Sequence, residues 1–519
     1  MQSFHEFLLG LILIAALALL SRVIFKRPSQ RKLPPGPKPW PIIGNLNLLD
    51  SSPHRSLHSL SQKYGEIMLL KFGKFPVLVA SSPHMAKQFL KVHDANFATR
   101  PSLAAGKYTA YNYSDMTWAP YGPHWRQARK IFLSEVFNAK RLEFFEPIRV
   151  EERRIFVSRL HSLSGKPVVL RDHLSNYALS NISRMVLSNK YFSETADDHH
   201  RNSIFKLHEL QGMLDEWFLL NGVINIGDWI PWLSFLDLQG YVKRMKELHK
   251  KLDKFIEFVI DDHQGRRAAD KGFPPKDVVD MLLVMAEKPN LEVKLTRDCV
   301  KALLQDLLTG GTDTSAVTIE WAINEVLRHP GVAEKAREEL DRVIGRKRWV
   351  EESDYSELPY ISAIIMESWR LHPLAPLLAP HCAMEDCKVA GYDIQKGTQV
   401  LINTWSIGRD PNAWDAPQEF LPERFLGEDI DMTGSNFSFL PFGSGRRSCP
   451  VYKLGLKIVQ TTLANLLHGF ELRLVEGMRP QDICMEELYG LTVHPKDSLQ
   501  LIMEPKLAPH LYQALIVDE

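Results

Sequence analysis

The residues best suited to chemistry lie near the C-terminus, in Phe442-Gly443-Ser444-Gly445-Arg446-Arg447-Ser448-Cys449-Pro450-Val451. A glycine-rich turn and two adjacent arginines lead to a cysteine, and an apolar, helix-compatible run from Leu454 to Leu467 follows. Glycines permit positive φ and let the backbone approach a flat ligand closely. A cysteine just before a helix N-terminus feels the positive end of the macrodipole and the nearby Arg charge. The sequence therefore predicts a bias toward thiolate, the form that ligates iron. A lone cysteine is more often a small buried hydrophobe. A dinucleotide loop is a further alternative, because Gly443 and Gly445 open a G-x-G-x-x-G pattern. Ser448 stands at its third glycine, and no strand–helix–acid context follows.

Three other spacings bear on chemistry. Trp125 and Arg129 are four apart, on one helical face, as packing pairs usually are. Gly310-Gly311-Thr312-Asp313-Thr314-Ser315 lies within Cys299 to Leu327, which reads as one long apolar helix. Each interior glycine costs about 1 kcal/mol against Ala, and close helix packing is the plain reason for such a pair. Glu367 and Arg370 fall at i, i+3 on a short helix, Tyr360 to Leu371, ended by Pro373. An exposed pair of that kind contributes under about 1 kcal/mol.

Taken in order, these segments resemble the cytochrome P450 superfamily. The cysteine loop matches F-x-x-G-x-R-x-C-x-G at Phe442, Gly445, Arg447 and Cys449, with Val451 where the family has a glycine that packs a helix on the porphyrin. The pattern (A/G)-G-x-(D/E)-T-(T/S) is matched from Gly310 to Ser315, W-x-x-x-R by Trp125 and Arg129, and E-x-x-R by Glu367 and Arg370. P-E-R-F is matched by Pro422 to Phe425. The resemblance runs from about Leu33 to Leu501, and phrases such as Tyr121-Gly122-Pro123-His124-Trp125-Arg126 are similar to the plant A-type branch.

The resemblance implies a mainly α-helical P450 fold with small β-sheets, preceded by a single transmembrane helix. It implies haem b, with Cys449 as axial ligand of the iron and Phe442 and Gly445 among the haem-binding residues of the loop. Trp125, Arg129, His381 and Arg447 would meet the haem propionates. The glycines would open room for O₂, with Thr314 and Asp313 delivering protons through water. Glu367, Arg370 and Arg424 would form a buried triad supporting the loop. The implied reaction is oxidation of a hydrophobic small molecule by O₂. The chain has no flavin or dinucleotide fingerprint, so electrons would come from NADPH through NADPH–cytochrome P450 reductase. A reductase-independent isomerase or dehydratase, and a non-catalytic haem-binding membrane protein, are the alternatives; the intact Thr314 and Asp313 argue against the first.

The elements that must position these residues begin with an anchor. Phe7 to Phe25 is apolar except for Ser21 and Arg22, and nineteen residues span ~28 Å, close to a bilayer core of about 30 Å. No Lys or Arg precedes this run, while Arg22, Lys26, Arg27, Arg31 and Lys32 sit at its end or beyond. This favours an uncleaved single-pass anchor (1–27) in the endoplasmic reticulum membrane, with the body cytosolic. The sequons at Asn112 and Asn181 are acceptors only if lumenal. A proline-rich hinge (28–45) follows, then the catalytic domain (46–510) and a short tail (511–519). Within the domain, Met68–Phe72 and Pro76–Ala80 read as a hairpin. A loop bearing Tyr108, Tyr111, Tyr113, Trp118 and Tyr121, with segments 303–308, 375–379 and 488–493, supplies candidate pocket residues. Phe205 to Phe235, rich in aromatics, suits core, substrate roof or a membrane-dipping surface.

Composition is consistent with this. The 519 residues carry a net charge of +1, which argues against a nucleic-acid binder. The five cysteines include no C-x-x-C pair and suit a reducing compartment. Terpenoid and phenylpropanoid or flavonoid substrates fit equally, as do hydroxylation and oxidative C–C cleavage.

Overall fold

The computed structural model describes residues 31–193, 203–269, 274–427 and 432–513. The expected span Phe7–Phe25, and the whole 1–27 anchor, lie outside the described residues. Among those described, no helix is long and apolar enough to cross a membrane.

The architecture is mainly helical, as expected. The helices that frame the site are α1 (Pro53–Tyr64), α2 (Pro123–Ile131), α3 (Glu146–Ser162), α4 (Leu170–Leu187), α5 (Leu207–Gly222), α6 (Tyr241–Ala269), α7 (Arg297–Arg328), α8 (Pro359–Leu371) and α9 (Tyr452–Gly469). Helix α7 is the axis of the fold, and α4, α5, α6, α8 and α9 pack around it. Its apolar residues are spread around the whole circumference, so it gains most from burial on all sides. Residues Leu303, Leu304, Ala322 and Ile323 are fully enclosed. Thr296 caps the helix by accepting the Cys299 N–H on its side-chain oxygen, so the helix opens at Arg297, two residues before the start the sequence suggests. The adjacent Gly310 and Gly311 stay helical.

Small sheets lie to the side. Strands β1 (Ile67–Phe72) and β2 (Phe75–Ala80) form the expected hairpin, with Met68 opposite Val79 and Leu70 opposite Val77. Strand β3 (His381–Cys382) joins antiparallel to β4 (Gln399–Ile402), which lies parallel to β2. Ile67, Leu78, Ala80, Val400 and Ile402 pack on one face, and Met68, Leu70, Val77 and Val79 on the other. Burial on both faces explains continuous apolar runs in place of alternation. A second hairpin, β5 (Glu487–Tyr489) and β6 (Val493–Pro495), lies against α7. The aromatic stretch before Phe235 divides into α5, which carries buried Trp217 and Phe218, and a short turn, Pro231–Leu236. On and after that turn, Trp232, Phe235 and Leu238 are exposed.

Candidate active site

Cys449 lies two residues before Val451, the residue that opens α9. Its N–H donates to the Phe442 carbonyl at 2.9 Å and closes the loop. Gly445 has φ +70°, and a Cβ there would come within 2.3 Å of the Leu90 carbonyl oxygen, so only glycine fits. Val451 sits at φ −114°, ordinary for a β-branched residue, and packs on the core. Its departure from the family pattern introduces no backbone strain. The expected thiolate bias is corrected here: burial pushes the Cys449 thiol up, and the Val451 N–H and the charge of Arg129 offset this only in part. A bare anion is too poorly solvated in this loop, so a metal cation bonded to sulfur is what would hold it as thiolate.

Beneath the loop, Glu367, Arg370 and Arg424 come together. Arg370 Nε and Nη2 each donate to the Glu367 carboxylate at 2.7 Å, and Arg424 Nε donates to it at 3.0 Å. Glu367 and Arg370 have fully buried side chains. Arg370 spends its remaining N–H groups on the carbonyls of Gly408, Pro417 and Glu419, and Arg424 reaches those of Asp415 and Ala416. The triad thus pins the irregular segment 408–426 to α8. Trp369, beside Arg370, meets Phe442 edge-on at 5.1 Å and carries that order into the cysteine loop.

On the other side of Cys449 lies a cluster of cations. Arg129 donates to the carbonyl (2.8 Å) and hydroxyl (3.0 Å) of Ser448. Arg447 donates to the carbonyls of Ala98, Met116 and Ala119. The guanidinium carbons of Arg447 and Arg129 lie 4.4 and 5.6 Å from the Trp125 ring, whose own N–H donates to Met116. Arg100, not anticipated from the sequence, donates to the carbonyls of Thr117, Ala379 and Pro380. Among the described residues none of these three arginines lies in a salt bridge. Burial, with Arg100 and Arg129 as like-charged neighbours and Asp115 only partly offsetting them, lowers Arg447 to about 8. Burial lowers Arg100 to about 10. His381 donates from Nδ1 to the Phe97 carbonyl at 2.8 Å, and burial with the Arg100 charge holds it down to about 3. Its Nε2 is thus unprotonated until an anion draws a proton onto it.

Helix α7 crosses above. The adjacent glycines divide the two roles foreseen for them. A Cβ on Gly311 would meet the Ile182 side chain at 2.6 Å, whereas one on Gly310 would meet nothing within 4 Å. Gly311 therefore serves contact with α4, and Gly310 leaves open space. Thr314 donates its hydroxyl to the Gly310 carbonyl at 2.8 Å. Asp313 turns away from it, toward the β5–β6 hairpin. There its Oδ2 accepts from the Thr492 hydroxyl at 2.7 Å and lies 3.2 Å from His494 Nε2. Consecutive helical residues do not share a face, so the acid and the alcohol are not a touching pair.

A cavity lies to one side, lined by Leu103, Trp118, Asn221, Leu377, Gln399 and Leu491 among others, with none of Cys449, the three arginines or Gly310 to Thr314 in its wall. Segments 375–379 and 488–493 contribute as expected, and Trp118 comes from the aromatic loop. Segment 303–308 does not line this cavity: Leu303 and Leu304 face the helical core, while Gln305 and Leu308 line a second, smaller cavity with Leu179, Leu214 and Leu252. The loop before Trp118 makes a left-handed turn, with φ of 47°, 53° and 65° at Tyr111, Asn112 and Tyr113. Tyr111 donates to Asp253 on α6 at 3.0 Å and Tyr113 to the Leu103 carbonyl at 2.9 Å.

Comparison with known proteins agrees with this arrangement. A family profile described as cytochrome P450 matches residues 34–502. A trimethyltridecatetraene synthase of Zea mays is 44% identical over 513 residues, covering 94% of this chain and 91% of the relative. A dimethylnonatriene synthase of Zea mays is 43% identical, covering 94% of each. A flavonoid 3'-monooxygenase of Arabidopsis thaliana is 42% identical, covering 97% and 98%. Among solved structures, a zebra fish cytochrome P450 with abiraterone superposes with a TM-score of 0.74 at 26% identity, covering 88% of this chain and all of that one. The chain belongs to the cytochrome P450 family, among the plant monooxygenases.

Proposed function

We propose that this enzyme oxidises a hydrophobic flavonoid or terpenoid with O₂, using electrons from NADPH delivered by a membrane-bound reductase. The observation that carries the site assignment is the cluster of Arg100, Arg129 and Arg447 beside Cys449, bonded to carbonyls and a hydroxyl with no salt-bridge partner among the described residues. Buried cations of this kind want anionic partners. The two carboxylates of haem fit them, with the Cys449 sulfur as ligand of the iron. Bound there, haem supplies the activation of O₂ that cysteine ligation favours.

The chain's own residues do the rest. Arg100, Arg129 and Arg447 neutralise the carboxylates, and His381 can take a proton from solvent to join them. Trp125 holds two of the guanidiniums in place by its ring. Gly310 leaves room beside the reacting centre, and Thr314 can turn its hydroxyl proton from the Gly310 carbonyl toward that space. Asp313 stores the proton to be delivered. The apolar cavity walls exclude water from the substrate.

Membrane association has its own support. The tip of the β1–β2 hairpin donates N–H bonds to both sides, Gly73 to the Ile43 carbonyl and Lys74 to the Trp229 carbonyl. It thereby gathers Trp40, Ile42, Trp232, Phe235 and Leu238, all more than 60% exposed, onto one region of the surface. An apolar rim of this kind marks an interaction surface. With the 1–27 anchor it would seat the cavity mouth, at Trp229 and Leu49, against the bilayer of the endoplasmic reticulum and admit lipophilic substrates.

The test is a reduced carbon-monoxide difference spectrum of wild type and Cys449→Ala, followed by a screen of flavonoids and branched terpenoid alcohols with reductase and NADPH. The strongly red-shifted Soret band should be present in wild type and lost in Cys449→Ala. Retention of that band in the variant would refute the ligand assignment, and product without NADPH would refute the electron route.

A further inference from the structure

The acid of α7 turns away from Thr314 to the β5–β6 hairpin, and one of its two partners there, His494, can titrate. Asp313 Oδ2 accepts from Thr492 at 2.7 Å, and His494 Nε2 lies 3.2 Å from the same oxygen and 3.0 Å from the Thr492 hydroxyl. The side chain of Asp313 is 7% exposed and that of His494 16%, so the histidine is the member nearer to water. The hairpin does not need this contact for its place. Trp321 on α7 donates to the Val493 carbonyl at 3.1 Å, the Val493 N–H bonds to Leu374 and the Leu491 N–H to Phe218.

The charged groups around His494 come from three helices. Asp313 and Glu320 belong to α7, Arg171 to α4 and Asp215 to α5. Arg171 is already engaged, donating to Glu320 at 2.6 Å and to the Pro495 carbonyl at 2.7 Å. Burial and Arg171 disfavour the imidazolium; Asp313 and Asp215 favour it and prevail, so the His494 value is raised.

We propose that His494 is the solvent-side proton carrier that reloads Asp313 during turnover. The inference rests on the monooxygenase reading above. Inserting one atom of O₂ and reducing the other to water takes two electrons and two protons, and these protons must enter a closed site. In the reloading step the His494 Nε2–H bond breaks and an Asp313 Oδ2–H bond forms. The pair passes from imidazolium and carboxylate to imidazole and carboxylic acid, and no electrons move. The neutral acid, freed of its charge-assisted partner, can rotate toward the groove beside Thr314, and water returns a proton to the imidazole. Thr492 orients both groups. His494 acts through Asp313 and is a positioning and relay residue.

The test uses the full-length holoenzyme with His494→Gln, which keeps an N–H donor but carries no exchangeable charge, and Thr492→Val as a second variant. The substrate is whichever flavonoid or terpenoid alcohol the screen shows to be turned over. In His494→Gln, product per NADPH should fall about fivefold or more and lose its dependence on pH between about 6 and 9. Hydrogen-peroxide-driven turnover, where the oxidant brings its own protons, should change by less than about twofold. Thr492→Val should show the same contrast more weakly. Unchanged NADPH coupling would overturn the proposal, and so would an equal loss with both oxidants, which marks a structural role.

A second readout needs no turnover. Folding raises the His494 value, so its stabilisation is full below the ordinary histidine range and fades as pH rises through the raised value. The unfolding midpoint of wild type should therefore exceed that of His494→Gln more at about pH 6 than at about pH 9. A difference independent of pH would overturn the assignment of the proton to His494. Absence of product from wild type with either oxidant would instead reject the monooxygenase reading, leaving the unfolding data to decide the pair.

Discussion

Replacing Glu367 by Gln should dismantle the support of the cysteine loop while leaving its shape nearly unchanged. Among the described residues, the substitution removes the single anion paired with Arg370 and Arg424, whose side chains are 0% and 11% exposed. Both N–H bonds from Arg370 and the one from Arg424 lose their charged acceptor, and the new amide must point a donor at a guanidinium. Breaking a buried pair in this way costs about 3–5 kcal/mol, because the remaining charge stays buried. At a factor of ten per ~1.4 kcal/mol, the folded population relative to unfolded should drop by roughly a hundredfold to several thousandfold. The carbonyls of Gly408, Pro417 and Glu419 still hold Arg370, so the helical body should survive and the segment 408–426 should loosen first. The assay is paired: thermal unfolding followed by far-UV circular dichroism, and the fraction of haem showing the thiolate carbon-monoxide band during incubation at fixed temperature. The band should decay well before helix content does. A Glu367→Gln protein with wild-type midpoint and wild-type band lifetime would refute the reasoning, since among the described residues no other anion is paired with either arginine.

Further outcomes follow from the same geometry. Thr314→Ala should lower product per NADPH several-fold and raise peroxide release, with substrate binding little changed; unaltered coupling would remove the hydroxyl from proton delivery. Gly311→Ala should destabilise by about 1–3 kcal/mol through its clash with Ile182, and Ile182→Val should restore part of the loss of unfolding midpoint. Gly310→Ala should instead leave the midpoint equal or raised by up to about 1 kcal/mol while turnover falls, because it fills open space in a helix. Burial works to raise Glu325, but hydrogen bonds from His329 and His372 prevail and hold it down to about 2. Its stabilisation is present above the ordinary glutamate value of 4.5 and is lost as pH falls toward about 2. Glu325→Gln should flatten that acid limb, and fluorescence of Trp321, stacked on His372 at 4.1 Å, would report it.

What could be read from sequence follows from where the information is held. Glu367, Arg370 and Arg424 are legible because each sits in a short motif, and their meeting needs only that α8 and the Pro422 turn be neighbours. Helix α7 is legible because an apolar run of that length without polar stripe has few other ways to bury itself. Arg100 is not, since Thr99-Arg100-Pro101 has no local pattern, and its role arises from carbonyls 17 and 279 residues away. The Asp313 contact with Thr492 spans 179 residues and depends on how a hairpin docks. The thiolate bias of Cys449 was misjudged because local dipole and charge are visible in a sequence and desolvation is not. Within segment 303–308, apolarity alone does not separate Leu303 and Leu304, which fill the core, from Leu308, which lines a cavity.

The left-handed turn at Tyr111–Tyr113 bears on how such an enzyme changes over generations. Three successive L-residues with positive φ hold on the order of 3–6 kcal/mol of unfavourable backbone energy. That energy is offset by two hydrogen bonds, one from Tyr111 to Asp253 of α6, outside the cavity, and one from Tyr113 to the Leu103 carbonyl. Leu103 and Trp118, on either side of the turn, line the cavity. A single substitution at Asp253, remote from any substrate, would let the turn relax and redraw the inner wall. Lineages descended from one ancestor could in this way acquire new substrates by altering a helix surface, with every wall residue and every catalytic group inherited intact.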